Sequence, residues 1–166
     1  MTARAGIGYD SHRFASGRRL RLGGVTIPHT HGLAGHSDGD AVLHAITDAL
    51  LGAAALGDIG GLFPDDDPRW KGADSALFVK EAVDQLKSGG FAVQQVDVTV
   101  IIERPRLAPH IGAMRAATAR ALGVAMEHVS IKAKTNEGMG WIGRSEGVGC
   151  IAVATVTPAS GVREPG

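Results

Sequence analysis

Extended and helical hydrophobic patterns alternate from end to end of this chain, which restricts it to an α/β or α+β domain. Its 166 residues suffice for one domain with a real core and leave too little chain for two. "GIGYDSHRF" at residues 6–14 reads as a strand, and "RRLRLGGVTIPH" as a hairpin turning at Gly23 and Gly24. Cap-type residues in "HSDGD" introduce a helix from about Asp38 to Leu56, with Leu43, Ile46 and Leu50 recurring on its core face. A second helix is expected from Ser75 to Lys87 and a third from Pro109 to about Gly123. "FAVQQVDVTVII", "HVSIKAK" and "GCIAVATV" supply the remaining strands. The helices are expected to cover one face of a small mixed sheet, leaving the other face to a second copy of the chain. Residues 58–75 carry glycines, prolines and three adjacent aspartates without periodicity, and a loop of that length is more often functional than decorative. We place the domain at residues 1–157 and a disordered tail at 158–166.

Charge argues against a bulk nucleic-acid binder, because 17 Lys and Arg balance 17 Asp and Glu. Cys150 is the sole cysteine, so no intramolecular disulfide framework exists. Set in "GVGCIAVATV", it reads as a small core hydrophobe. "AVLHAITDALLGAAALG" is too short and too polar for a membrane span. The first strand begins almost at once, which leaves no room for a targeting peptide and gives the expectation of a cytoplasmic protein.

The chemistry-bearing residues begin with Asp10 and His12, which share one face of an extended chain. His44 lies on the first helix, four residues after Asp40 and four before Asp48, on a stripe away from the apolar face. Asp10, His12 and His44 make a three-ligand set of the kind zinc accepts, with a fourth position open, and Asp40 or Asp48 is expected to orient the imidazole. A surface Asp–His pair beside a hydrogen-bonded His44 satisfies the same spacing. His36, just before the expected helix start, suits an anion held by free amides, or is a plain loop histidine. His29, His31, His110 and His128 show no convergent pattern. "KAKTNEGMGWIGRSEG" combines the cations Lys132, Lys134 and Arg144, the Thr135 hydroxyl, the Glu137 carboxylate and flexible glycines. It reads either as a phosphate site or as a glycine-rich turn with solvated charges, and it lacks P-loop spacing. "PDDDP" offers a further cation site or three solvated carboxylates, and Asp58 either a hydroxyl-binding group or a turn former.

Taken together, "GIGYDSHRF", "HSDGDAVLHAITDALLGAAALGDIGGLFPDDDP", "KGADS", "ERPRLAPHI" and "KAKTNEGMGWIGRSEG" resemble the 2-C-methyl-D-erythritol 2,4-cyclodiphosphate synthase family over residues 4–157. The resemblance implies a homotrimer with active sites between subunits and a cytidine diphosphate substrate, 4-diphosphocytidyl-2-C-methyl-D-erythritol 2-phosphate. It implies Zn²⁺ on Asp10, His12 and His44, and a second divalent ion, Mg²⁺ or Mn²⁺, reached by Glu137. His36 and Thr135 match positions that stabilise the transition state. Asp58, Ile59 and Gly60 match the segment holding the methylerythritol hydroxyls. Ile102, Glu103, Arg104, Pro105, Arg106, Leu107 and Ala108, with Ala133, Lys134 and Thr135, match a cytidine pocket given by the adjacent subunit. The implied substrate-binding set also takes in Asp10, His12, Ser37, Phe63, Pro64, Asp65, Asp66, Asp67, Asn136, Glu137, Trp141 and Arg144. Some members bind an isoprenoid diphosphate on the trimer axis near Arg144. Ser145 departs from the family's usual glycine there, Lys134 from a common threonine and Trp141 from a common phenylalanine. A zinc phosphoesterase and a metal-stabilised trimeric binding protein are the competing readings; neither expects a cyclic product.

Overall fold

A computed structural model describes residues 2–64 and 66–159. The first strand, β1 (Arg4–Ala15), alternates its faces: Ile7 and Tyr9 project outward, while Gly6, Gly8, Asp10 and His12 turn inward. There follow β2 (Leu20–Leu22), β3 (Val25–Ile27), β4 (Gly32–Leu33) and the helix α1 (Ala41–Ala53). The chain continues through α2 (Ile59–Leu62), α3 (Ala76–Ser88), β5 (Phe91–Ile101), α4 (Ile111–Leu122), β6 (Val129–Lys134), α5 (Gly140–Gly143) and β7 (Gly147–Pro158). Five strands form one mixed sheet in the order β4–β1–β7–β5–β6, and β2 and β3 form a separate hairpin. Among the described residues only β5 and β6 run parallel, and α4 supplies the crossover that such a pair requires.

Alternate residues of β5 and β7 face the helices: Val96, Val98 and Val100, then Val148, Cys150, Ala152, Ala154 and Val156. They meet Leu43, Ile46 and Leu50 of α1 in one buried cluster. Cys150 is thus the core residue expected, and burial pushes its thiol well above the usual range. On the opposite face Ile7 pairs with Val153 and Tyr9 with Ile151, all four exposed.

The seam between β1 and α1 is unusually close. A Cβ added at Gly8 meets the Ala45 carbonyl oxygen at 1.9 Å, and one at Gly6 meets the Ala49 oxygen at 2.1 Å. Side chains of any size on both partners therefore cannot coexist there. Strand backbone rests directly on helix backbone, and this sets the distance between Asp10 and His44.

Asp40 anchors the start of α1. Its carboxylate accepts from Leu43 N as the helix cap and from Gly23 N and Gly24 N at 2.8 and 2.7 Å, tying the hairpin turn to the helix. The turn needs positive φ at both glycines, 60° and 77°. Burial raises the Asp40 carboxyl above its ordinary value, while these amides oppose the rise. Asp40→Ala is expected to destabilise the fold by about 2–4 kcal/mol, through the lost cap and the buried amides left unpaired; a shifted midpoint in urea unfolding checks this.

Several boundaries differ from those expected. The first helix ends at Ala53, not Leu56, because Ala55 turns left-handed at φ 59°. Leu56 N then donates to Leu51 O and Ala55 N to Gly52 O, a Schellman closure built without glycine. Residues 58–75 are not featureless: Asp58 caps α2 through Gly61 N, and a 3₁₀ turn spans Pro68–Trp70. Pro158 and Ala159, expected in the tail, belong to the fold: Pro158 closes β7 and Ala159 N donates to Gly90 O. The rest of the expected tail, from residue 160, lies outside the described residues.

Candidate active site

β1 and α1 bring Asp10, His12 and His44 together. One ligand atom from each lies within 4.8 Å of the others. Asp10 Oδ2 stands 2.8 Å from His12 Nδ1 and 3.4 Å from His44 Nδ1. Despite this approach, Asp10 Oδ2 and His12 Nδ1 are buried without a hydrogen-bond partner. Two buried polar atoms that converge but do not bond each other fit a shared cation. The donor set, two imidazoles and a carboxylate, fits zinc chemistry. Burial pushes the Asp10 carboxyl up, but the adjacent His12 and His44 outweigh it and hold the carboxyl below its usual value. For His44, burial opposes protonation, and the neighbouring Asp10 raises its pKa nonetheless.

Neither Asp40 nor Asp48 orients His44, contrary to expectation. Asp40 is spent on the helix cap, and Asp48 accepts from Ile59 N at 2.7 Å, fastening α2 to α1. His44 Nε2 instead meets Ser75 Oγ at 2.8 Å and Ser37 Oγ at 3.1 Å. The Ser75 hydroxyl donates in turn to Asp38.

The triad opens into a cavity of about 220 Å³ lined also by His36, Ser37, Ile59, Gly60, Phe63, Trp70 and Phe78. Phe63 stacks on Phe78 with ring centres 4.4 Å apart, and Trp70 meets Phe63 edge-on. His36 lines this cavity, but not from a helix N-terminus, since α1 starts at Ala41 behind the Asp40 carboxylate. The 67–72 loop holds it: His36 Nε2 donates to the Asp67 carbonyl at 3.1 Å, and Gly72 N donates to the His36 carbonyl at 2.8 Å. Arg18 steadies the same segment from outside, donating to the Gly35 and Ser37 carbonyls. Arg18, Asp38, Trp70, Ser75 and Phe78 were not singled out in sequence; an aromatic in "PRWK" and a serine at a helix start were their only local signals.

In "PDDDP", the Asp67 carboxylate caps the 3₁₀ turn and pairs with Arg69, which lowers its pKa. Pro64 and Asp66 are exposed, and Asp65 lies outside the described residues.

The remaining candidates gather elsewhere. Ile102 N donates to Lys134 O, and Glu103 Oε1 accepts from Asn136 N at 2.7 Å and Gly138 N at 3.3 Å. This ties the 102–108 segment to the Thr135–Glu137 turn, where Thr135 Oγ1 donates to Glu137 Oε1 at 3.2 Å. Lys132 does not join them, because it pairs with Asp97. Trp141 sits on α5, and Arg144 donates to Glu146 Oε1 at 2.6 Å. Ser145 adopts φ 57°, which explains why glycine suits this position.

The sheet register fixes how far apart the two groups lie. Asp10 pairs with Cys150, Cys150 with Val100, and Val100 with Ala133, so the triad and the 133–137 turn stand at one level of the sheet. Three strand spacings separate them, about 14 Å. Among the described residues, none of 102–108 or 133–137 lines the triad's cavity.

A mixed sheet with helices on one face, and a His–His–Asp cluster at a strand–helix seam, define a single-domain α/β protein with a candidate cation centre. The YgbB family model matches residues 3–157, and the chain belongs to that family. It is 57% identical over 156 residues to the 2-C-methyl-D-erythritol 2,4-cyclodiphosphate synthase of Gemmatimonas aurantiaca, covering 94% of both chains. A solved structure of such a synthase in its CDP-bound form is 41% identical, covering 93% of this chain and 100% of that one, at a TM-score of 0.85. The bifunctional IspDF of Campylobacter jejuni is 39% identical at a TM-score of 0.91; the match covers 95% of this chain and 42% of that longer one.

Proposed function

We infer that this chain is a 2-C-methyl-D-erythritol 2,4-cyclodiphosphate synthase, a phosphorus–oxygen lyase of non-mevalonate isoprenoid biosynthesis. The observation that carries the reading is the buried, unbonded convergence of Asp10, His12 and His44 in a chain so close to named synthases. The substrate is 4-diphosphocytidyl-2-C-methyl-D-erythritol 2-phosphate. An oxygen of its 2-phosphate attacks the β-phosphorus, the bond from that phosphorus to the α-phosphate oxygen breaks, and CMP leaves with the bridging oxygen. Such an intramolecular transfer asks the protein for positioning and charge neutralisation rather than a covalent partner.

Asp10, His12 and His44 would hold Zn²⁺, and Glu137 a second divalent ion, Mg²⁺ or Mn²⁺, both supplying positive charge to the phosphoryl oxygens. His36, anchored at Nε2 by the Asp67 carbonyl, lines the cavity and steadies developing charge there, and the Thr135 hydroxyl does so from the turn of a neighbouring copy. Ile59 and Gly60 on the cavity wall, with Asp58 beside them at the α2 cap, receive the methylerythritol hydroxyls. Phe63, Trp70 and Phe78 exclude water from it. Residues 102–108 and Ala133, Lys134 and Thr135 hold the cytidine end.

The separation of about 14 Å within one chain supports an active site shared between copies, because the phosphates must meet the triad and the 133–137 turn together. A homotrimer brings one chain's triad against its neighbour's turn and covers Ile7, Tyr9, Ile151 and Val153. We place Arg144 near the threefold axis, where an isoprenoid diphosphate has to displace Glu146 from its guanidinium. No described helix is long and apolar enough to cross a membrane. With a free buried thiol, we assign the chain to the cytoplasm.

A phosphorus NMR time course with the diphosphocytidyl substrate, Zn²⁺ and Mg²⁺ tests the assignment. Resonances of a cyclic diphosphate are expected to grow with those of CMP in equal amounts. A linear hydrolysis product overturns the synthase reading in favour of a phosphoesterase.

A further inference from the structure

Ser75 occupies the N-cap position of α3 but makes no capping bond. Asp74 performs that task instead, accepting from Ala76 N. Ser75 is fully buried, and its hydroxyl is committed elsewhere, between Asp38 and His44. Asp38 is held in place by the amides of Ser75 and Asp40 and by Arg21 Nε at 3.6 Å.

The polarity of this chain of bonds is determined by chemistry. A carboxylate only accepts, so the Ser75 hydroxyl proton points at Asp38. The Ser75 oxygen is then an acceptor toward His44 Nε2, the nitrogen that Ser37 Oγ also meets at 3.1 Å, so an imidazole whose other nitrogen binds a cation carries its proton on Nε2. Nδ1 faces Asp10 Oδ2 at 3.4 Å, and a cation between the two takes the lone pair that a proton would otherwise hold. Because Asp40 and Asp48 are spent on backbone amides, no other carboxylate competes for this role.

We propose that Ser75, backed by Asp38, is a positioning residue that fixes His44 in the Nε2–H tautomer, so that Nδ1 is presented to the cation bound with Asp10 and His12. The inference deepens the functional reading above and rests on its cation site. It concerns the protein before any substrate is bound.

The test uses zinc-loaded full-length protein with ¹⁵N-labelled histidine. Long-range ¹H–¹⁵N spectra should show His44 protonated at Nε2 and without a proton at Nδ1, the Nε2 proton being protected from solvent exchange. In Ser75→Ala that proton is expected to exchange freely, and zinc affinity, measured by chelator competition, to fall about 10- to 100-fold. Asp38→Asn keeps the packing and weakens the acceptor of the Ser75 hydroxyl, so the same two changes are expected in smaller measure. Unchanged signals of His29 and His110 certify the fold of each variant, and Asp38→Asn decides alone should Ser75→Ala unfold. Wild-type His44 spectra and zinc affinity within twofold of wild type in the folded variants would overturn the proposal. Neither readout involves turnover, so failure of the synthase reaction leaves a distinct signature.

Discussion

His44→Ala is expected to lower turnover by about a thousandfold or more while the chain's state of assembly is unchanged. A cation held by the triad would supply several kcal/mol of charge stabilisation to phosphoryl oxygens, and each 1.36 kcal/mol is roughly tenfold in rate. His44 is the triad's one member from α1, so removing it leaves two ligands on β1 and no chelate across the seam. Bound zinc per chain should fall in parallel, measured by elemental analysis beside sedimentation velocity. The binding-protein reading makes the opposite forecast, that the same change damages assembly and leaves little rate to lose. Full turnover by His44→Ala in metal-free buffer would sink the cation assignment.

The second large effect lies away from any functional group. Gly8→Val is expected to destabilise the fold by about 3 kcal/mol or more, the upper range for forced overpacking. Its Cβ would stand 1.9 Å from the Ala45 oxygen and 2.8 Å from Ala49 N, and neither is a side chain that can swing aside. β1 must therefore move off α1, and Asp10 and His12 move with it. For a domain of this size the melting temperature should drop roughly 6–12 °C. Zinc retention should fall even where the variant is still folded. Gly52→Ala is the matched control: its added Cβ comes no nearer than 3.8 Å to the groups around it, and a better helix former there should be neutral or mildly stabilising. Equal melting temperatures for Gly8→Val and wild type would show that the seam does not set the ligand spacing.

Much of this was legible in the sequence where the signal is local. Alternation placed Asp10 and His12 on one strand face, and helical spacing took His44 off the apolar side; the structure bears out both. The three main helices and the long strands lie close to where their periodicity put them. What failed to show was set by contacts between distant segments. Nothing near His44 in sequence says that Ser75, thirty-one positions on, will hold its imidazole. Asp40 and Asp48 had the better spacing, but backbone amides claimed both carboxylates. The end of α1 was obscured because an alanine, not a glycine, takes the left-handed position. His36 had two readings, helix terminus or plain loop histidine; a loop presents it, and neither reading named the cavity it shares with the triad.

The three-strand gap between the triad and the 133–137 turn has a consequence for mass action. If each catalytic centre is completed by a neighbour, a lone protomer carries only the two unmatched halves of different centres. Dilution below the assembly constant then removes activity faster than it removes protein, and specific activity becomes a property of enzyme concentration. The cell would then set this catalyst's strength by how much of the chain it makes, more steeply than in proportion.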